Sequence, residues 1–351
     1  MSRRARLATA ARNAWAISPL GSGIEGYDGL PAEIVYDEPH RQLRHLLRDA
    51  PATRPRPVLL VPPLAVSTRC YDLRPGQSLA GHLLDAGRET YVVDYGEITF
   101  ADRAMGFEDW IDDIIPTAVR TVSAAHEDEP VDVVAWSLGG TMSLLTAATH
   151  PDLPLGSLTA FGTPIDYSLV PAVQPIAAAD RMLGTRAATA PTAALGGVPS
   201  RLVRTSYRAM ALRREVTKAA HLARNILDAE ALARTEAVDR FIDSMPGYPG
   251  RAYHQIHARL IARNELASGT VHLSSERAVR LADVSAPVLF IGSRTDNIAN
   301  GPAVAAGTTV VPGARYWSAD GLSHLGLVAG VRAPDLSWPL LDEFLDGLDE
   351  A

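Results

Sequence analysis

The stretch Val131-Asp132-Val133-Val134-Ala135-Trp136-Ser137-Leu138-Gly139-Gly140-Thr141 admits few folds, because a β-branched apolar run stops at a serine and two glycines and then continues as a helical pattern. It reads as strand, sharp turn and helix with Ser137 at the apex. A serine hydroxyl is a weak nucleophile, so a chain that uses one must lift it clear of the sheet beside a base and near backbone donors. The G-x-S-x-G spacing places small residues two before and two after the serine, where strand and helix crowd together. Here those positions are Ala135 and Gly139, and alanine is the smallest departure from glycine available. Such a pattern of small residues also arises by chance. Its setting raises it, since Val131 to Val134 suits a buried strand and Met142, Leu144, Leu145 and Ala148 give the next helix an apolar face.

At 351 residues, with 47% apolar and 21% charged, the chain suits one large α/β core carrying an insertion. Its net charge of -7 argues against a general nucleic-acid binder, and a lone Cys70 excludes an internal disulfide and suits a reducing cytoplasm. The N-terminal Arg3, Arg4 and Arg6 lead into an alanine-rich segment interrupted by Arg12, with no continuous apolar core of a secretory signal. Residues 3–17 are expected to form an amphipathic helix, either docked and solvated or attached to an anionic lipid or granule surface. No membrane span is expected, because the longest uncharged window is the serine turn itself.

Along the chain, Ala32 to Tyr36 and Leu43 to Leu47 read as early strands, and Val58 to Val61 as a buried strand that halts at Pro62-Pro63. Prolines carry no amide hydrogen, so Leu64 is the first residue after the strand able to donate to an oxyanion, with the amide of Leu138 as the second donor. Thr90 to Tyr95 and Leu158 to Phe161 are further strands, and helices between them imply right-handed crossovers and a mostly parallel sheet. From Tyr167 to about Leu273, Ala, Arg and Leu dominate and helical patterns replace strands. The expected division is a core over 1–166, a helical cap over 167–275 and the rest of the core over 276–351. Strand alternation resumes at Val288 to Gly292 and leads into Asp296; Thr309 to Val311 and Arg315 to Trp317 are expected to complete the sheet before His324. Serine, then a late acid, then a histidine is one chain order of a Ser-His-Asp triad, so Ser137, Asp296 and His324 are the candidate nucleophile, acid and base.

Several segments together make this chain resemble the polyhydroxyalkanoate synthase-like branch of the α/β hydrolases: Val61-Pro62-Pro63, Tyr71 to Leu79, Ser137 to Thr141, Thr163-Pro164-Ile165-Asp166, Gly197-Val198-Pro199, Asp243 to Pro246, Asn264-Glu265-Leu266 and Gly292 to Ile298. The resemblance implies an α/β-hydrolase fold with an inserted helical cap, an acyl substrate such as an acyl-CoA, and a homodimer or partner subunit. It carries nucleophile, acid and base onto Ser137, Asp296 and His324. Three positions depart from that family's pattern: its cysteine nucleophile is replaced by Ser137, the histidine after its acid by Asn297, and the glycine before its base by Ser323. A thiolate takes an acyl group from a thioester at little cost and keeps it reactive, whereas an acyl-serine is an ordinary ester and needs full general-base help to form. Serine therefore favours hydrolysis or single acyl transfer over polymer synthesis.

Pro63, Ala65, Trp136, Val198 and Ile298 are the expected pocket residues, and Leu195, Leu202, Val203, Tyr207, Met210 and Leu212 are apolar cap residues that either pack or line a passage. Asp166 stays open as a rival acid, while Asp320 lies too close to His324 in sequence to support it from a separate loop. Cys70 is expected to be inert, and His254 and His257, lacking an adjacent glutamate and a third ligand, to occupy a solvated helix face; neither a metal nor another cofactor is expected. A catalytically idle lipid-surface protein remains the alternative of another class.

Overall fold

A computed structural model describes residues 2–18, 20–48, 50–210 and 212–350; the side chains of 172, 210 and 212–215, including Met210 and Leu212, lie outside the described residues. Eight strands form the central sheet: β1 (Ala32–Tyr36), β2 (Gln42–Leu46), β3 (Val58–Val61), β4 (Thr90–Asp94), β5 (Val131–Trp136), β6 (Leu155–Phe161), β7 (Val288–Gly292) and β8 (Arg315–Ser318). Their spatial order is β1-β2-β4-β3-β5-β6-β7-β8. β1 and β2 pair antiparallel, β2 runs antiparallel to β4, and every pairing from β4 to β8 is parallel. Strands β3, β5 and β7 are buried along their whole length, as a parallel sheet covered on both faces requires. Because these strands share one direction, the loops after β3, β5, β6, β7 and β8 open on a single edge, where ligands of such sheets bind.

Helix α1 (Arg3–Ala16) begins at Ser2 and rests on the rest of the chain through Asn13, whose Nδ2 donates to the Ile226 carbonyl at 2.8 Å. Leu7 and Trp15 face outward from it. Helices α2 (Leu79–Asp85) and α3 (Ile115–Ala125) follow β3 and β4, and α4 (Leu138–Thr149) follows β5. Between β6 and β7 the chain supplies α5 (Gln174–Leu183), α6 (Thr185–Ala194), α7 (Ser200–Met210), α8 (Leu212–Arg224), α9 (Ala229–Asp243) and α10 (Gly250–Gln255), a helical cap. A short antiparallel pair, Gly197–Val198 with Tyr248–Pro249, ties two parts of this insertion. A second hairpin, Thr270–His272 with Ala278–Arg280, packs beside α4 on the core side. α11 (Trp338–Asp349) closes the chain.

One expected strand is absent: Thr309 and Val310 lie in a short helix, Gly307–Val310, and Val311 donates back to the Gly307 carbonyl at 3.0 Å. Its β-branched residues lose to context: Gly307, the first residue of that helix, lies against the Phe290 ring, and the helix packs there instead of extending the sheet beyond β8. No helix among the described residues is long and apolar enough to cross a membrane.

Candidate active site

Ser137 joins β5 to α4 with φ 52 and ψ -124, a backbone conformation that a residue with a Cβ rarely adopts. Its amide donates to the Phe161 carbonyl at 2.8 Å, and its own carbonyl accepts from Thr163 Oγ1 at 3.0 Å, so β6 and the following loop hold the turn from both sides. The glycines after it answer to space. A Cβ on Gly139 would stand 2.4 Å from the Val61 carbonyl oxygen, and one on Gly140 would stand 2.1 Å from Thr163 Oγ1. Helix α4 thus begins hard against the end of β3, which brings the amide of Leu138 beside the loop that carries Leu64. First-turn amides have no acceptor within their own helix and attract negative charge. The loop itself is anchored where Tyr71 Oη donates to the Val61 carbonyl at 2.7 Å and Tyr95 Oη to the Pro62 carbonyl at 2.9 Å. Ala65 there also takes positive φ, at 59.

Asp296 follows β7 and is only 2% exposed. One carboxylate oxygen accepts the amides of Ile298 and Ala299, at 2.7 and 3.0 Å, and the other meets His324 Nδ1 at 2.7 Å. With one oxygen taken up by two amides, the carboxylate holds one ring nitrogen through its other oxygen and leaves the second, Nε2, outside that contact. The loops bearing acid and base are fastened to each other: Arg294 Nε donates to Asp320 Oδ2 at 2.6 Å and Thr295 Oγ1 to the Leu322 carbonyl at 2.9 Å. The imidazole lies 4.9 Å from the Trp136 ring, between centroids, and a Cβ on Gly162 would stand 3.1 Å from its Cε1. Trp136 precedes Ser137 and Gly162 follows the carbonyl that binds its amide, so the ring sits beside the serine turn. No hydrogen bond joins Ser137 Oγ to His324 among the described residues.

The rivals have other work. Asp166 accepts from Ser168 and from Asn264 Nδ2 at 2.7 Å, and Asp320 is the fastener just described. Burial pushes the Cys70 thiol well above its ordinary range. His254 Nδ1 meets Thr189 Oγ1 at 3.0 Å, while His257 is buried against Asp180 at 3.2 Å and so does not lie on a solvated face. Among the described residues no three His, Cys, Asp or Glu side chains cluster as a metal site.

A cavity of about 590 Å³ opens over His324 between core and cap. Trp136 and Ile298 stand in its wall, with Tyr207, Val238, Phe241 and Ile242 from the cap. Pro63, Ala65 and Val198 do not: they are buried in side-chain packing beside it, Ala65 and Val198 in the same apolar cluster as Trp136 and Phe241. Leu73 and Gln77, also in the wall, fall within the Tyr71 to Leu79 segment, a sequence signal that had no role attached to it.

The family model described as alpha/beta hydrolase fold matches residues 67–328. The chain is similar to the poly(3-hydroxyalkanoate) polymerase subunit PhaC of Allochromatium vinosum, 25% identical over 325 residues that cover 90% of this chain and 88% of that protein. It is 23% identical over 316 residues to the subunit of the same name from Haloferax mediterranei, covering 90% of this chain and 63% of that longer protein. Among solved structures, an esterase, RhEst1 from Rhodococcus sp., shares the fold with a TM-score of 0.51 at 17% identity, covering 92% of this chain and 100% of that one. With a sheet order, a strained serine turn and a family match that agree, the chain belongs to the alpha/beta hydrolase fold family.

Proposed function

We propose that the protein is a serine hydrolase or acyltransferase that acts on acyl esters or acyl thioesters through an acyl-enzyme. The observation that carries this reading is the Asp296–His324 pair, 2.7 Å apart and buried, set beside a serine held at positive φ. His324 Nε2 takes the proton of Ser137 Oγ as the oxygen attacks the acyl carbonyl. The amides of Leu138 and Leu64 hold the resulting oxyanion, each such donor contributing about 3 kcal/mol to the transition state. Asp296 stabilises the imidazolium, which then returns the proton to the departing alkoxide or thiolate. Water or an alcohol, activated by the same imidazole, releases the acyl group and regenerates Ser137. An apolar wall suits an acyl chain.

Mixing the protein with a p-nitrophenyl ester should give a burst of p-nitrophenolate equal to the enzyme concentration, and Ser137→Ala should abolish it. An unchanged burst in that variant would overturn the assignment. The similarity to two polymerase subunits favours a second reading, extension of a polyester chain on Ser137 from a 3-hydroxyacyl-CoA. Incubation with 3-hydroxybutyryl-CoA separates the two: free acid with CoA supports hydrolysis, polymer with CoA supports extension.

A further inference from the structure

The loop after β3 is held by different means at its two ends. Upstream, tyrosine hydroxyls of the core fix the Val61 and Pro62 carbonyls. Downstream, Leu64, Ala65 and Val66 are buried by packing, and the segment makes one local backbone bond, from the Val66 amide to the Pro63 carbonyl at 3.2 Å. Among the described residues the Leu64 amide donates to no protein acceptor, which leaves it free for a ligand. Ser67 ends this segment. It caps the short 3-10 turn Thr68–Cys70 with extended backbone, φ -78 and ψ 162, a position where a serine hydroxyl ordinarily accepts an amide of its own turn. Ser67 makes no such bond. Its Oγ lies instead 2.7 Å from the Oγ of Ser244, 177 residues away, the residue that closes cap helix α9. A hydroxyl has one proton, and Ser244 Oγ gives its own to the Phe241 carbonyl at 2.8 Å. Ser67 is therefore the donor. The chain just beyond Ser244 is pinned as well, since Arg204 Nε of α7 donates to the Met245 carbonyl at 3.1 Å. Neither serine stands in the wall of the cavity over His324.

Resting on the acyl-enzyme reading above, we infer that Ser67 and Ser244 are positioning residues: through this one hydrogen bond the cap holds the far end of the loop whose Leu64 amide binds the oxyanion. Acylation and deacylation both pass through an oxyanion, so loosening the loop weakens the transition states of both steps and leaves substrate binding alone. The experiment compares steady-state hydrolysis of p-nitrophenyl acetate with that of its thiono analogue, in which the carbonyl oxygen is replaced by a sulfur that accepts hydrogen bonds poorly. In Ser67→Ala, and equally in Ser244→Ala, kcat for the oxygen ester should fall about tenfold with KM within about twofold of wild type. The preference for the oxygen ester over the thiono ester should shrink by the same factor, a change that a merely structural role would not produce. The double variant should lose no more than either single one, because both remove the same bond. Ser67→Thr keeps the hydroxyl on a backbone that suits a β-branched residue, and should recover kcat to within about threefold. Urea midpoints and circular dichroism show that each variant is folded. An unchanged kcat in both single variants, a loss carried by KM, an unmoved preference, losses that multiply in the double variant, or a Ser67→Thr protein as slow as Ser67→Ala overturns the inference. Failure of the acyl-enzyme reading appears separately, in the wild-type protein, as absent labelling of Ser137 by a fluorophosphonate.

Discussion

The sheet edge and the cap hold their functional side chains by different means. At the edge, Ser137, Asp296 and His324 are set mostly by backbone, with one ion pair, Arg294 with Asp320, between the acid and base loops: two amides on one carboxylate oxygen, a strained φ, and glycines that let α4 touch β3. In the cap the fixing groups are charged side chains. Arg74, 6% exposed, receives Glu25 from the N-terminal segment at 2.7 and 3.1 Å and Glu230 from the first turn of α9 at 2.7 and 2.8 Å. Glu236 of the same helix accepts the Ile24 amide at 2.7 Å, and Arg240 donates to the Glu25 carbonyl at 2.8 Å. Three stretches remote in sequence thus meet at one guanidinium, and the C-terminal half of α9 supplies Val238, Phe241 and Ile242 to the cavity. Backbone fixing resists pH and salt; fixing by ion pairs responds to both.

The contrast is broken most severely at the edge. In Asp296→Asn the side-chain oxygen stays with the two backbone amides, so the NH₂ faces His324 Nδ1 and moves the ring proton to Nε2, where no base remains for Ser137. Turnover of a p-nitrophenyl ester should fall about ten-thousandfold with the urea midpoint little changed. An activity loss of less than tenfold would mean that Asp296 is not the acid.

The next effect is at the clamp. Arg74→Met leaves Glu25 without its guanidinium and Glu230 with Arg234 alone, and because both carboxylates are partly solvated the loss should be about 2 kcal/mol at pH 7, less than for a fully buried pair. The sign of its pH dependence follows from Glu230. Hydrogen bonds from Arg74, then from Arg234, hold that carboxyl at about 2 against an ordinary 4.5. A depressed carboxyl stabilises the folded state fully above its ordinary value and loses that contribution as pH falls toward 2. Wild-type stability should therefore decline across this window, and Arg74→Met should flatten the decline, as read from urea midpoints at pH 7, 4.5 and 3. The smallest change should come from Cys70→Ala, which removes a buried thiol that makes no polar bond to the candidate site. A loss of about 1 kcal/mol in stability and an unchanged p-nitrophenolate burst are expected; a lost burst would move the nucleophile away from Ser137.

Much of the edge was legible along the chain. The apolar run into Ser137, the acid after a late strand and the histidine after the last one are local patterns, and local patterns survive as sequence periodicity and turn chemistry. Thr309 to Val311 was misleading for the same reason, since β-branched composition is a local signal and the packing of Gly307 on Phe290 places these residues in a short helix instead. Pro63, Ala65 and Val198 lie outside the wall of the cavity over His324 for a different reason: nearness in sequence to the loop after β3, or to a cap turn, says nothing about which side of a close-packed cluster a side chain enters.

The order of residue types alone determined that a serine, an acid and a histidine could meet above a parallel sheet, because strand direction and turn chemistry are short-range properties. Tertiary structure decided the rest: that His324 lies against Trp136, that Tyr207 faces the same cavity, and that Glu25, Arg74 and Glu230 share one site. Those meetings depend on how whole elements pack, and side chains separated by so much chain leave no periodic trace of each other in the sequence.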